Sequence, residues 1–227
     1  SVKESRRLNH CNVVTSNVQA GANLHRRTWV VMYDLSGMQP GAIEKRVMED
    51  WKLLVDRMKI REDRAYLHHE GKPVVAVWGV GFSDGRKYSL EECEHLLQCI
   101  KEDPEYGENT VKIGLSTHWR TLARDAVADK KLHGIVRLAD IVSPWTVGRY
   151  KNPGQVRTHA KTTVAADIEW CSVFAGDFPW IQSAKFEEES RECSRTRDDP
   201  TMWWGISLDS GIGLCRGWCK DVLRGDV

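Results

Sequence analysis

Aromatic and carboxylate side chains close several apolar runs of this chain, and that is the combination a sugar site uses. Tyr33 and Asp34 end the run within Thr28–Gly37 (TWVVMYDLSG), Trp78 ends that within Gly71–Phe82 (GKPVVAVWGVGF), and Trp145 and Tyr150 end Ala139–Tyr150 (ADIVSPWTVGRY). Aromatic faces pack on the C–H faces of a pyranose, while carboxylates and amides take paired hydrogen bonds from its hydroxyls. Any one of these residues would serve equally to fill the end of a core. Their recurrence at three run ends is what points to a site. A further group, Ser116-Thr117-His118-Trp119-Arg120, follows the run Thr110–Leu115 and reads as the start of a helix. There His118, Trp119 and the exposed amides would meet sugar hydroxyls; the alternative is that Trp119 packs the helix start and Arg120 makes a surface ion pair. Asp34 likewise has a second reading, as the cap of the turn that follows it.

Other chemistries find less support. His68-His69-Glu70 lacks the i,i+4 histidine spacing of a helical zinc motif, and neighbours on a strand point to opposite faces. It reads as a turn before the second strand, with His68 within reach of a pocket rim. The seven cysteines, including the pairs Cys93/Cys99 and Cys215/Cys219, match no zinc or redox spacing and read as thiols, so no metal is expected. Gly79-Val80-Gly81 continues with Phe82-Ser83-Asp84 and lacks the third glycine of a dinucleotide fingerprint, so no cofactor is expected. Glu187-Glu188-Glu189 reads as a solvated charge run. With 33 Lys+Arg against 32 Asp+Glu, a net charge of +1 builds no field for nucleic acid or an anionic membrane. No apolar stretch is long enough to cross a bilayer, and the polar start SVKESRRLNHCN contains no signal-peptide core.

The elements that must position these residues follow from periodicity. Val/Ile/Ala runs predict strands at 29–34, 73–80, 110–115 and 140–143. Ile43, Val47, Trp51, Leu54, Val55 and Met58 recur at helical spacing. Ser89-Leu90-Glu91-Glu92 is a capping box for a helix turning Leu90, Cys93, Leu96, Leu97 and Ile100 inward, ended by Asp103-Pro104. Helices near Lys131–Leu138 and Gln155–Trp170 complete the alternation. Strand–helix alternation predicts parallel strands with right-handed crossovers, and a barrel with its pocket at the strand C-termini is preferred.

The segments MYDLSG, HHEGKPVVAVWGVGF, STHWR and DIVSPWTVGRY, in this order, resemble bacterial members of glycoside hydrolase family 99, the endo-α-mannosidase family related to family 71. Some similar bacterial proteins are labelled xylosidase/arabinosidase. The likeness spans about Val14 to Trp170. It implies a (β/α)8 TIM barrel and cleavage of α-mannosides or related glycans at the strand-tip face. It also implies a periplasmic or extracellular setting, and retention of configuration through the sugar's own 2-hydroxyl and a pair of carboxylates. Tyr33, Asp34, Trp78, His118, Trp119, Trp145 and Tyr150 are the expected substrate-binding residues.

Residues 171–227 depart from that pattern. The family continues with segments like PGFSW, GGxFLWxQ and FDExxE, the last holding both catalytic Glu, and none stands in this sequence. No residue is therefore assigned a catalytic role. Met202-Trp203-Trp204-Gly205 must be encoded ATG TGG TGG GGN, which read one base later gives Cys-Gly-Gly and can continue into an FLWxQ-like string. The expectation is a partial barrel over 1–170 and a frame-shifted, irregular tail over 171–227 that stops short of the carboxylate pair. The chain is then read as an inactive fragment of a glycoside hydrolase acting on α-mannosides or related glycans. The alternatives are a non-catalytic carbohydrate-binding remnant and a fragment without function of its own, since missing barrel strands leave parallel edges unpaired.

Overall fold

The computed structural model describes residues 2–174, 180–181 and 211–217, with side-chain surroundings over 11–173. The chain runs α1 (Val2–His25), β1 (Thr28–Asp34), α2 (Ile43–Met58), a 3₁₀ turn (Ile60–Glu62), β2 (His68–His69), β3 (Lys72–Val80), α3 (Leu90–Glu102) and β4 (Thr110–Leu115). Then come α4 (Lys131–Leu138), β5 (Ile141–Pro144), α5 (Pro153–His159), a π segment (Ala160–Val164), α6 (Ala165–Phe174), β6 (Trp180–Ile181) and β7 (Gly211–Gly217).

The Val/Ile-rich runs pair into one parallel sheet in the order β6-β5-β4-β3-β1-β7. From β1 each later main strand is laid beside its predecessor on the same side, and β7 covers the other edge of β1. Among the described residues no ladder joins β6 to β7. The fold is therefore α/β with a parallel sheet, as the alternation predicts.

Strand alternation gives the sheet two unlike faces. Tyr33 donates its hydroxyl to Asp50 Oδ2 on α2 at 3.0 Å, so the face it shares with Val31 is the helix-covered one. Register extends that face through Val75, Val77, Val111, Ile113 and Val142, all buried. Trp51 and Leu54 of α2, Leu96, Leu97 and Ile100 of α3, and Leu132 and Ile135 of α4 join them in one core. Burying each such side chain stabilises the fold by about 1.5–3 kcal/mol. On the other face, register aligns Met32, Ala76, Lys112 and Ile141 in one row and Asp34, Trp78, Gly114 and Ser143 in the next, nearer the strand C-termini.

Several local features differ from the sequence-based expectations. The segment after β4 is a series of turns, not a helix. The reason is local: the Asp125 carboxylate accepts from the backbone N–H of Thr117 (3.2 Å) and His118 (3.1 Å), folding the chain back on itself, and Leu122 and Arg124 adopt left-handed φ of 52° and 55°. The helix expected at Gln155–Trp170 runs from Pro153, capped by Asn152, and is interrupted by the π segment. α1 is absent from the sequence-based expectations, because its residues are mostly polar; among its described side chains Thr15 and Ala22 are buried. His68 and His69 form a short antiparallel hairpin with Pro73 and Lys72, turned by Glu70 (φ 51°) and Gly71 (φ 78°). That hairpin lies at the N-terminal end of β3, so His68 does not reach the C-terminal rim. The tail was expected to be irregular, yet 180–181 and 211–217 are strands, β7 pairing with β1 over Thr28–Asp34. The rest of 171–227 beyond residue 174 lies outside the described residues.

Candidate functional site at the strand C-termini

The site is built on a glycine. A Cβ at Gly114 would fall inside the indole of Trp78, so the bare backbone of β4 is what lets that ring lie across the sheet. There it meets Trp145, just past β5, at 5.0 Å between centroids and 60° between planes, and Phe82 at 5.5 Å. Both indoles are partly exposed. Leu35 N–H donates to the Trp78 carbonyl at 2.9 Å, and Trp145 N–H to the Leu115 carbonyl at 2.8 Å, tying these tips to β1 and β4.

Arg86 frames one end of this aromatic strip. Its guanidinium stacks 4.8 Å from the Phe82 ring centroid and donates to Asp84, to the Tyr88 hydroxyl (2.8 Å) and to Ser36 Oγ (3.2 Å). Gly79, at φ 112°, provides the space, since a side chain there would overlap that guanidinium. Burial would lower the Arg86 pKa, but the Tyr88 and Asp84 oxygens outweigh it and hold the group firmly charged. Two shallow depressions flank it: one of about 220 Å³ between Ser36–Gln39 and Asp84–Lys87, and one of about 210 Å³ including Gly79, Phe82 and Tyr88.

The other end is polar. His118 Nδ1 lies 2.6 Å from Asp125 Oδ1, and the same carboxylate takes Arg149 Nη2. Arg149 Nε donates to Thr117 Oγ1 at 2.7 Å, and that hydroxyl donates to the Trp145 carbonyl, so the cluster is fastened to the aromatic strip. Burial would raise the Asp125 pKa, but the bonds from His118 and the Thr117 and His118 amides, with the Arg149 charge, hold it below the usual carboxylate range. Lys112, in the row below Gly114, is buried, which depresses its pKa to about 8. Ser116 is fully buried at the end of β4, and its hydroxyl has no hydrogen-bond partner.

The residues expected to bind sugar thus divide. Trp78, Trp145 and, through Thr117, His118 come together, and Asp34 aligns with Trp78 in register, its Oδ1 accepting from Ser36 N–H at 2.8 Å. Tyr33 does not join them, because alternation turns it to the helix side against Asp50. Trp119 does not either: it is fully buried edge-on against Trp170 and near His133, in the packing role that was its alternative. Arg120 ion-pairs with buried Asp167 at 2.9 Å. Tyr150 packs its ring 5.7 Å from that of His159. Sequence reasoning missed Arg86, Asp125 and Arg149. Arg86 and Asp125 lie outside the apolar runs, Arg149 stands beside Tyr150 at the end of one without being singled out, and only the return of the 117–125 loop brings Asp125 onto His118.

Among the described residues no cluster of His, Cys, Asp and Glu could hold a metal ion. Burial pushes the Cys93 thiol up to about 12 and the Cys171 thiol up to about 11, which makes both poor nucleophiles. No helix among the described residues is long and apolar enough to cross a membrane. Comparison with known proteins finds no family model, no curated protein and no solved structure that matches this chain.

Proposed function

We propose that this chain is a glycoside hydrolase family 99-like α/β barrel segment that binds α-mannosides or related glycans at its strand C-termini without cleaving them. The observation that supports this reading best is the Trp78–Trp145 pair, partly exposed and held over Gly114 in the row that contains Asp34 and Ser143. The order β1-β3-β4-β5-β6 accords with a (β/α)8 barrel, and β7 takes the far edge of β1, the place of a barrel's last strand and equally of a doubly wound sheet's reversed strand.

The argument against turnover is chemical. Glycoside hydrolysis needs two carboxyl groups facing each other across the bond, one of them able to donate a proton. Of the described carboxylates near the strip, Asp84 is held by Arg86, and Asp125 by His118 and Arg149. That leaves Asp34 with no opposing partner among the described residues.

Titration calorimetry with an α-linked mannotetraose is expected to give saturable binding that Trp78→Ala and Trp145→Ala each weaken at least tenfold. Release of reducing sugar should stay at background. No binding at millimolar ligand would overturn the sugar reading, and hydrolysis at an ordinary enzymatic rate would overturn the claim of inactivity. Sequencing the encoding DNA through codon 171 tests the frame shift: an intact frame encoding this same tail in a homologous active enzyme removes it.

A further inference from the structure

We infer that the depression between Ser36–Gln39 and Asp84–Lys87 is a further subsite that continues the aromatic strip, so that the ligand is an oligosaccharide with one unit held there by its hydroxyls. This rests on the glycan-binding reading above and names the ligand class for it.

Size and continuity carry the argument. The depression holds about 220 Å³, below the roughly 300–1,000 Å³ of a pocket that encloses a whole ligand. It suits one unit of a chain whose remainder lies elsewhere. Two links join it to the strip. Asp34, in register with Trp78, accepts from the Ser36 N–H at 2.8 Å. Trp78 meets Phe82 at 5.5 Å, and the Phe82 ring carries the Arg86 guanidinium at 4.8 Å. Arg86 is itself a wall of the depression. A chain stacked on Trp145 and Trp78 thus runs on into it.

The cradle is shaped before any ligand arrives, which lowers the ordering cost of binding. Gly37 (φ 76°) and Gly85 (φ 79°) turn its two loops, and a Cβ at Gly85 would meet only open space. Arg86, its side chain only 10% exposed, cross-links those loops through Ser36 Oγ on one side and Asp84 on the other. Its bonds hold this shape, so the guanidinium serves as a wall and not as a charge awaiting a partner.

What stays open suits hydroxyls. Ser36 Oγ accepts from Arg86, and its own proton has no acceptor among the described residues. Gln39 is exposed, and its bond from Nε2 to the Gly37 carbonyl at 3.4 Å leaves Oε1 open. Lys87 is exposed and makes no hydrogen bond or ion pair among the described residues. The Asp84 carboxylate keeps lone pairs beyond the two that Arg86 takes. No aromatic ring lines the depression. It therefore grips the hydroxyl edge of a sugar, where the strip takes C–H faces.

The test measures the affinity of the full chain for α-linked mannobiose and mannotetraose by calorimetry, beside a Gln39→Ala/Lys87→Ala double variant. Both side chains are exposed, so the variant is expected to keep the melting temperature of the parent chain. The tetraose should bind about tenfold more tightly than the biose, and the double variant should lose that gain. Equal affinity for the two sugars overturns the inference and leaves the glycan reading standing. A gain that the double variant retains also overturns it, because the added units then lie elsewhere. Binding of neither sugar overturns the glycan reading, and this inference falls with it.

Discussion

Gly114 and Lys112 stand two residues apart on the same face of β4 and make opposite demands on their surroundings. Gly114 must have no side chain, because Trp78 occupies that space. Gly114→Ala is expected to cost about 1–3 kcal/mol, the usual penalty of overpacking, and to shift the tryptophan emission; urea denaturation and fluorescence read both. An unchanged midpoint and spectrum would show that Trp78 does not lie where its contacts place it. Lys112 must keep a charge in a buried row. Its pKa of about 8 lies below the usual 10.5, so between those values the unfolded chain binds more protons and stability rises with pH. The penalty is therefore full below pH 8 and fades toward pH 10. Lys112→Met should stabilise the fold at pH 7 by up to about 3 kcal/mol, with the gain shrinking as pH approaches 10. A gain independent of pH would mean that the charge is not its source.

At the scale of elements, legibility in the sequence followed periodicity. β1, β3 and β4 were readable because both faces of their central residues are buried, leaving uninterrupted apolar runs. α3 was readable from its cap: Ser89 and Glu92 exchange the bonds of a capping box. The 117–125 loop was not readable. Its shape comes from one carboxylate gathering two backbone amides, a contact that a Ser-Thr-His-Trp string gives no hint of. Tyr33 was misplaced for a simpler reason: at a strand tip, a one-residue step changes the face, and Asp34 rather than Tyr33 took the open one. α4 offers a check of how far local propensity governs these elements. Gly134 sits mid-helix with open space around it, so Gly134→Ala should stabilise by about 0.5–1 kcal/mol through helix propensity alone. A destabilised variant would mean that α4 is held in a non-ideal form by its packing on α3.

At the scale of the molecule, the question is what closes the sheet. β1 is central only because β7 pairs with it along Thr28–Asp34; without that ladder its backbone would present an open edge beside the candidate site. Unpaired parallel edges are templates for association with other chains. A chain ending at residue 174 loses both β6 and β7, leaving β5 and β1 as edges. It is expected to elute from size exclusion as concentration-dependent oligomers, and to lose hydrogen-exchange protection in β1 and β5 before β3 and β4. The opposite result is equally informative. A shortened chain that stays monomeric, with β1 as protected as β3, would show that the residues after 174 contribute nothing to closure.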